Sequence, residues 1–269
     1  ISRDYRRRKS SGNKTFKNRN MRLAPRTLIR CILTALCLVA GVVAAAEDKL
    51  RVAVLENAPP MSYRDTDGHL TGFSVEIIRA VCGEMQARCE IQPIVLEHLL
   101  DKLTSGEIDI AAVSLLDTPE RRARILFANP YFRSVSLWFA KPGVMPGTPG
   151  IRVAAVKGSA HESYAPSQGW NVVAVPTNGE LAKPLLAGVA QAAIMPMMTS
   201  LNLLKGKDFQ ALGLSSTIMK VPELLGNASF GISPRRPELK DAVNVALEKI
   251  KRNGVYERIN TQFLPFRVH

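Results

Sequence analysis

Cysteine and histidine are scarce in this chain. Its 269 residues hold four of each, and neither type gathers at the spacing that a metal-ligand set needs. His69, His98, His161 and His269 are scattered, so no metal ion and no cofactor is expected. Acidic side chains are nearly missing from the first 46 residues, where 11 Lys/Arg stand against Asp4 alone, a net of +10 out of +13 for the whole chain. The remainder holds 25 basic and 22 acidic residues, a net of +3, which excludes nucleic acid as a partner of the globular part on electrostatic grounds. The apolar run over 31–46 has 16 residues, short of the roughly 20 that a membrane-spanning helix requires.

What is there at the start is an export signal. Met21 opens a basic segment with Arg22, Arg26 and Arg30, the apolar run follows, and Ala44-Ala45-Ala46 closes it. A basic start, an apolar middle and a small-residue end read as a secretory signal peptide over 21–46. Cys37 is not read as a lipidation site, because Leu36 is too large for the position before a lipoprotein cysteine. Cleavage after Ala46 would release 223 residues into the periplasm. Residues 1–20 are expected to be a disordered basic extension, an over-extended start with translation beginning at Met21; a basic arm for nucleic acid or anionic lipid is the other reading. Cys31 and Cys37 leave with the leader. Cys82 and Cys89 stay in an oxidising setting, where a nearby pair is bridged rather than free.

The stretch from Ser105 to Tyr131 organises the rest. A turn at Ser105 and Gly106 leads into an apolar run over 108–113 that reads as a buried strand. A polar crossing over 114–119 follows. Thr118 is a natural N-cap, Pro119 fits the first helical position and Glu120 the first turn. Arg121 then sits at the mouth of that helix. A strand end, a helix N-terminus and a guanidinium together make a receptor for a small anion, most plausibly a carboxylate. The bland reading makes Arg121, Arg122 and Arg124 a solvated helix face.

Along the exported chain, strands are expected at 49–55, 91–95 and 108–113, with helices from Gly72-Phe73 and over 97–103 between them. The order β-α-β-α-β implies a parallel-type open sheet. A strand at 132–140 precedes a Pro/Gly-rich break running to Gly150. A second unit follows, with strands at 152–156, 172–175 and 191–195 and helices after Gly158 and over 179–186, where Pro184 should kink or shorten the helix. Then come a return strand at 230–233, a strong helix over 237–250 and a short one through Tyr256, Ile259 and Phe263. The fold class is therefore α/β, two open sheets flanked by helices and hinged by crossings near 135–142 and 227–233. Residues 47–136 with 229–269 form one lobe and 137–228 the other, with a ligand cleft between them.

Several of these pieces share one resemblance. Gly106-Glu-Ile-Asp-Ile-Ala-Ala112, Ser114 with Thr118-Pro-Glu-Arg121, Phe127-Ala-Asn-Pro-Tyr-Phe132, Gly72-Phe-Ser-Val-Glu76, Gly158-Ser-Ala160 and Asn253-Gly-Val-Tyr256 occur in order. In this the chain resembles the bacterial extracellular solute-binding proteins of family 3, the periplasmic receptors of polar amino-acid ABC importers. Cys82 and Cys89 fall where some members for basic amino acids carry a disulfide. The resemblance implies a two-lobed periplasmic-binding-protein-like fold of type II and a monomer. It also implies an inner-membrane ABC permease as partner, and a small carboxylate-bearing solute, an amino acid first, as ligand. It places the α-carboxylate on Arg121, with help from Ser114, Thr118, Ser159 and Ala160.

Three departures from the family pattern bear on the ligand. Pro196 stands where the family keeps an acid for the α-ammonium group. Ala58 and Leu96 stand at positions that often carry aromatics. Leu116 replaces a serine or threonine of the carboxylate site. An uncompensated ammonium would be costly to desolvate, so an organic acid lacking the amino group is the alternative ligand unless Glu56, Asp117 or Glu162 substitutes. A sensory or partner-binding role is a further alternative. An enzyme is a minor one, because a cyclohexadienyl dehydratase uses the same fold. His161 and Glu162, the candidate acids for it, read more simply as helix-start residues facing solvent, and no catalytic residue is expected.

Overall fold

The computed structural model describes residues 49–268; the basic extension and the signal peptide expected before Ala46, with Cys31 and Cys37, lie outside the described residues. β1 (Leu50–Leu55) comes first, then a small hairpin of β2 (Tyr63–Arg64) and β3 (Leu70–Thr71). Helix α1 (Phe73–Glu84) leads to β4 (Cys89–Ile94). A 3-10 turn at Leu96–His98 runs into α2 (Leu99–Ser105), followed by β5 (Ile110–Leu116). β1 pairs in parallel with both β4 and β5. Val52, Ala53 and Val54 of β1 are all buried, as a strand covered on both faces must be.

The first sheet is completed from both ends of the chain. After the four-residue helix α3 (Pro119–Arg122) come β6 (Leu126–Phe127) and β7 (Phe132–Ser134). The second sheet holds β8 (Ser136–Ala140), β9 (Arg152–Val156), β10 (Asn171–Val175), β11 (Ala192–Pro196) and β12 (Ser215–Ile218). Its helices are α4 (Ala160–Tyr164), α5 (Ala182–Leu186), α6 (Met197–Leu203) and α7 (Lys207–Ala211). β13 (Gly226–Ile232) then returns to the first sheet, antiparallel to β5, β6 and β7. α8 (Glu238–Arg252) and α9 (Val255–Phe263) close the chain against α1. The strand orders are β4-β1-β5-β13-β6 with β7 on β13, and β10-β9-β11-β8-β12.

Each lobe has its own core. In the first, Phe73 of α1 stacks on Tyr131 and meets Tyr256 of α9 edge-on. Ile77, Ile78 and Val81 share its buried face with Leu239, Val243 and Leu247 of α8, and each such side chain contributes about 1.5–3 kcal/mol by leaving water. Acidic Glu238 and Asp241 in the first turn of α8 and Lys249, Lys251 and Arg252 in its last complement the helix dipole. The Cys82–Cys89 disulfide ties the end of α1 to the start of β4. The second lobe packs Phe139, Val156, Leu181 and Met195 on one side of its sheet and Trp138, Trp170 and Ile194 on the other.

Four local expectations are corrected. The single strand expected over 132–140 is two, because the chain changes sheet at Val135, and one strand cannot serve both. The return crossing runs over 219–225, ahead of 227–233, since β13 is within the first sheet from Gly226 onward, where it pairs with Ser134. The two crossings therefore lie side by side, as a hinge requires. The polar crossing expected at Ser114 begins later, because β5 continues through Leu116. The helix over 179–186 is a 3-10 turn at Asn178–Glu180 followed by α5. Pro184 falls in the first turn of α5, where its missing N–H has no intrahelical partner to lose.

Candidate functional site: a buried arginine between two lobes

Thr118 caps α3 by accepting from the Arg121 N–H at 3.4 Å, with Pro119 at the first helical position. This short helix turns Arg121 inward, and the residue is only 7% exposed. Its guanidinium donates to the Leu116 carbonyl at 3.1 Å and, across the cleft, to the Gly158 carbonyl at 3.3 Å. Both acceptors are neutral, and among the described residues no carboxylate is in ion-pair contact with it. Burial lowers its pKa, but a guanidinium stays protonated in proteins. The solvated-face reading of Arg121 is thereby set aside, whereas Arg122 and Arg124 are exposed and pair with Asp117 and Asp101.

Arg121 lines a cavity between the lobes together with Ser114, Leu116, Ala58, Leu96, Ser159, Ala160 and Pro196. Thr118 is not on this wall; it borders an adjoining outer cleft on the other side of Arg121. Ser114 is held from behind, its hydroxyl 2.9 Å from the Tyr131 hydroxyl, which is itself 3.1 Å from the Ser74 hydroxyl. Burial pushes the Tyr131 phenol up to about 12, so it stays protonated and serves as a link in that chain.

His161 differs from its expectation. It is buried, not solvent-facing, and lines the cavity. Its Nε2 lies 2.8 Å from the Ser136 hydroxyl, which donates to the Leu224 carbonyl at 2.7 Å. That serine proton is engaged, so His161 donates from Nε2 and its Nδ1 is an acceptor. Burial, and after it the charge of Arg121, lowers its pKa to about 4, which keeps the ring neutral at pH 7. Glu162 caps instead: its N–H bonds the Ser159 hydroxyl at 3.1 Å and its carboxylate accepts from the Gly158 N–H at 2.6 Å. Asn178 and Thr199 also line the cavity, Asn178 Oδ1 accepting from the Thr199 hydroxyl at 3.0 Å. Nothing in the sequence distinguishes His161, Asn178 or Thr199 from ordinary helix-start polar residues.

The three candidate substitutes for the missing acid all lie elsewhere. Asp117 grips Arg122, Glu162 is a cap, and Glu56 is exposed and off the cavity wall. The cavity thus holds one cation and no acid among its lining residues. Asp65, Asp67 and His69 do approach one another, at an exposed turn. Asp65 Oδ1 there accepts from the N–H groups of both Asp67 and His69, and that turn geometry accounts for their proximity.

The lobes are in contact across the cleft. The Gly179 N–H donates to the Asn57 carbonyl at 2.9 Å, the Asn57 side chain to the Thr177 hydroxyl at 3.2 Å, and Lys157 pairs with Glu97 at 2.7 Å. Gly158, at φ +76°, packs so closely that a Cβ there would come within 2.8 Å of the Glu97 Cα.

Two helix-flanked open sheets, joined by adjacent crossings and closed on a buried guanidinium, make this a periplasmic-binding-protein fold of type II. Residues 50–266 match the bacterial extracellular solute-binding proteins, family 3, and the chain belongs to that family. The L-arginine-binding protein of Pseudomonas aeruginosa is 28% identical to it over 243 residues, spanning 84% of this chain and 91% of the relative. The lysine/arginine/ornithine-binding periplasmic protein of Escherichia coli K12 is 27% identical over 252 residues, spanning 88% and 96%. An ancestral arginine-binding protein solved with arginine superposes with a TM-score of 0.71 at 23% identity, covering 80% of this chain and 97% of that one. These relatives are amino-acid-binding proteins rather than enzymes.

Proposed function

We propose that this protein is a periplasmic receptor that closes on a small carboxylate solute and hands it to an inner-membrane ABC permease, working as a monomer after cleavage behind Ala46. The observation that carries this reading is Arg121: a buried cation with no acidic partner in contact among the described residues, facing an inter-lobe cavity and bonded to both lobes. A buried charge without a counter-charge is costly, and a bound carboxylate supplies the counter-charge. Ser114, Ser159 and Ala160 line the same cavity, which supports a part for them in holding it. The relatives' names support an amino acid as the ligand class, whereas among the described residues this cavity has a cation for the carboxylate and no acid for the ammonium group.

A thermal-shift screen of amino acids, 2-oxo acids and dicarboxylates tests the reading, because a ligand that binds only the folded form raises Tm. Arg121→Met should remove the shift and weaken binding at least about 100-fold, since it deletes a charge-assisted contact. The unliganded variant should fold normally, because a buried desolvated charge has been replaced by an apolar chain. Unchanged affinity in this variant would end the carboxylate assignment.

A further inference from the structure

We infer that the ligand is a monocarboxylate without an ammonium group and with an apolar tail. The inference rests on the receptor reading and narrows its substrate class. Charge is the first reason. Among the described residues the cavity wall carries the Arg121 cation, the neutral imidazole of His161 and no carboxylate. A monocarboxylate brings the total to neutrality. An amino acid brings a second cation into the same desolvated space, with nothing there to balance it.

The position of Pro196 makes that deficit structural. It is the last residue of β11 and the residue from which α6 starts, so the wall there is a proline ring with neither charge nor N–H. Its neighbours on the wall are Ile194, Met198 and Thr199. The acceptor nitrogen of His161 could take a hydrogen bond from an ammonium, but a neutral ring offers no counter-charge to a group carrying a full positive one.

Polarity points the same way. Leu55, Met61, Leu96, Leu116, Val156 and Ile194 are among the apolar residues that outnumber the polar ones on the wall, and such a surface leaves a place for a hydrocarbon tail beside the carboxylate.

The test is calorimetry on the protein, refolded to strip carried-over solute, with lactate, pyruvate and butyrate against alanine and arginine. Lactate and alanine differ by a hydroxyl in place of an ammonium, which isolates the charge. At least one of the three acids should bind 100-fold more tightly than either amino acid. In Pro196→Asp, alanine should gain at least tenfold and the acids should lose as much. Alanine or arginine binding as well as the acids would overturn this inference and leave the receptor reading standing. Silence across all five would overturn this inference, and the receptor reading would fall with it only if the wider thermal-shift panel, dicarboxylates included, were silent as well.

Discussion

His161 donates from Nε2 to the Ser136 hydroxyl at 2.8 Å, and so fastens the cavity wall to the first residue of β8, directly after the chain crosses between the lobes. Through Ser136 the same contact reaches the Leu224 carbonyl on the return crossing. A neutral ring is therefore built into the hinge region, with Arg121 as the charged group that shares its cavity.

This makes stability fall on acidification. The unfolded chain titrates this imidazole near 6.5, and the fold lowers it to about 4. Below pH 6.5 the unfolded state takes the proton first, so the contribution is complete above 6.5 and is lost as pH falls toward 4, up to about 3 kcal/mol. Melting temperatures from pH 8 to pH 4 should drop more steeply for the wild type than for His161→Gln. Parallel curves would contradict the assignment.

Gly158→Ala should hold the clamp open. The new Cβ meets Glu97 backbone rather than a side chain that can swing aside, and the left-handed conformation adds about 1–2 kcal/mol of its own. Ligand affinity should fall at least about tenfold, and small-angle scattering should show no compaction with ligand. Gly179→Ala is the milder case: its Cβ meets the Asn57 side chain rather than backbone, so the structure can give way there at the cost of the Asn57 bond to Thr177, and its effect should be smaller.

Lys157→Met should matter little. The pair with Glu97 spans the lobes at 2.7 Å, but the Lys157 side chain is 57% exposed, and solvent screens such contacts. Affinity should change by less than about threefold, with the difference vanishing in 0.5 M salt. A larger loss would mean that closure depends on this pair rather than on the Arg121 and Asn57 contacts.

Removing the disulfide should destabilise without touching binding. Cys82 and Cys89 are seven residues apart and join helix to strand far from the cavity wall. Loop closure of that length is worth about 2–3 kcal/mol. Cys82→Ala with Cys89→Ala should lower the denaturant midpoint by a corresponding amount and leave the ligand Kd within about twofold. A large loss of affinity would show that the first lobe transmits strain to the site.

Local chemistry was readable in advance, and so was the element type of most segments. Thr118-Pro119-Glu120-Arg121 declared a capped helix because cap, proline and acid act on adjacent residues. Gly158-Ser159-Ala160 announced its turn for the same reason. Residues 197–225 were not legible at all. β12 is exposed along its whole length and so carries no alternation, and α6 follows β11 without an intervening turn signal.

The sequence by itself determined the two α/β units, the bridged cysteines and the inward arginine, since each depends on spacing within a few residues. It also carried the departures at Pro196, Ala58, Leu96 and Leu116. Only the tertiary structure decided that Asp117, Glu56 and Glu162 leave the cavity without an acid, that His161 turns inward, and that the sheet change falls at Val135. Asp117 and Glu162 are held by near neighbours, whereas the inward turn of His161 and the closure on Arg121 depend on what a side chain meets across the cleft or hinge, His161 with Ser136 and Arg121 with Gly158. Burial and hydrogen bonding at such distances are set by packing, and the periodicity of a single segment does not encode them.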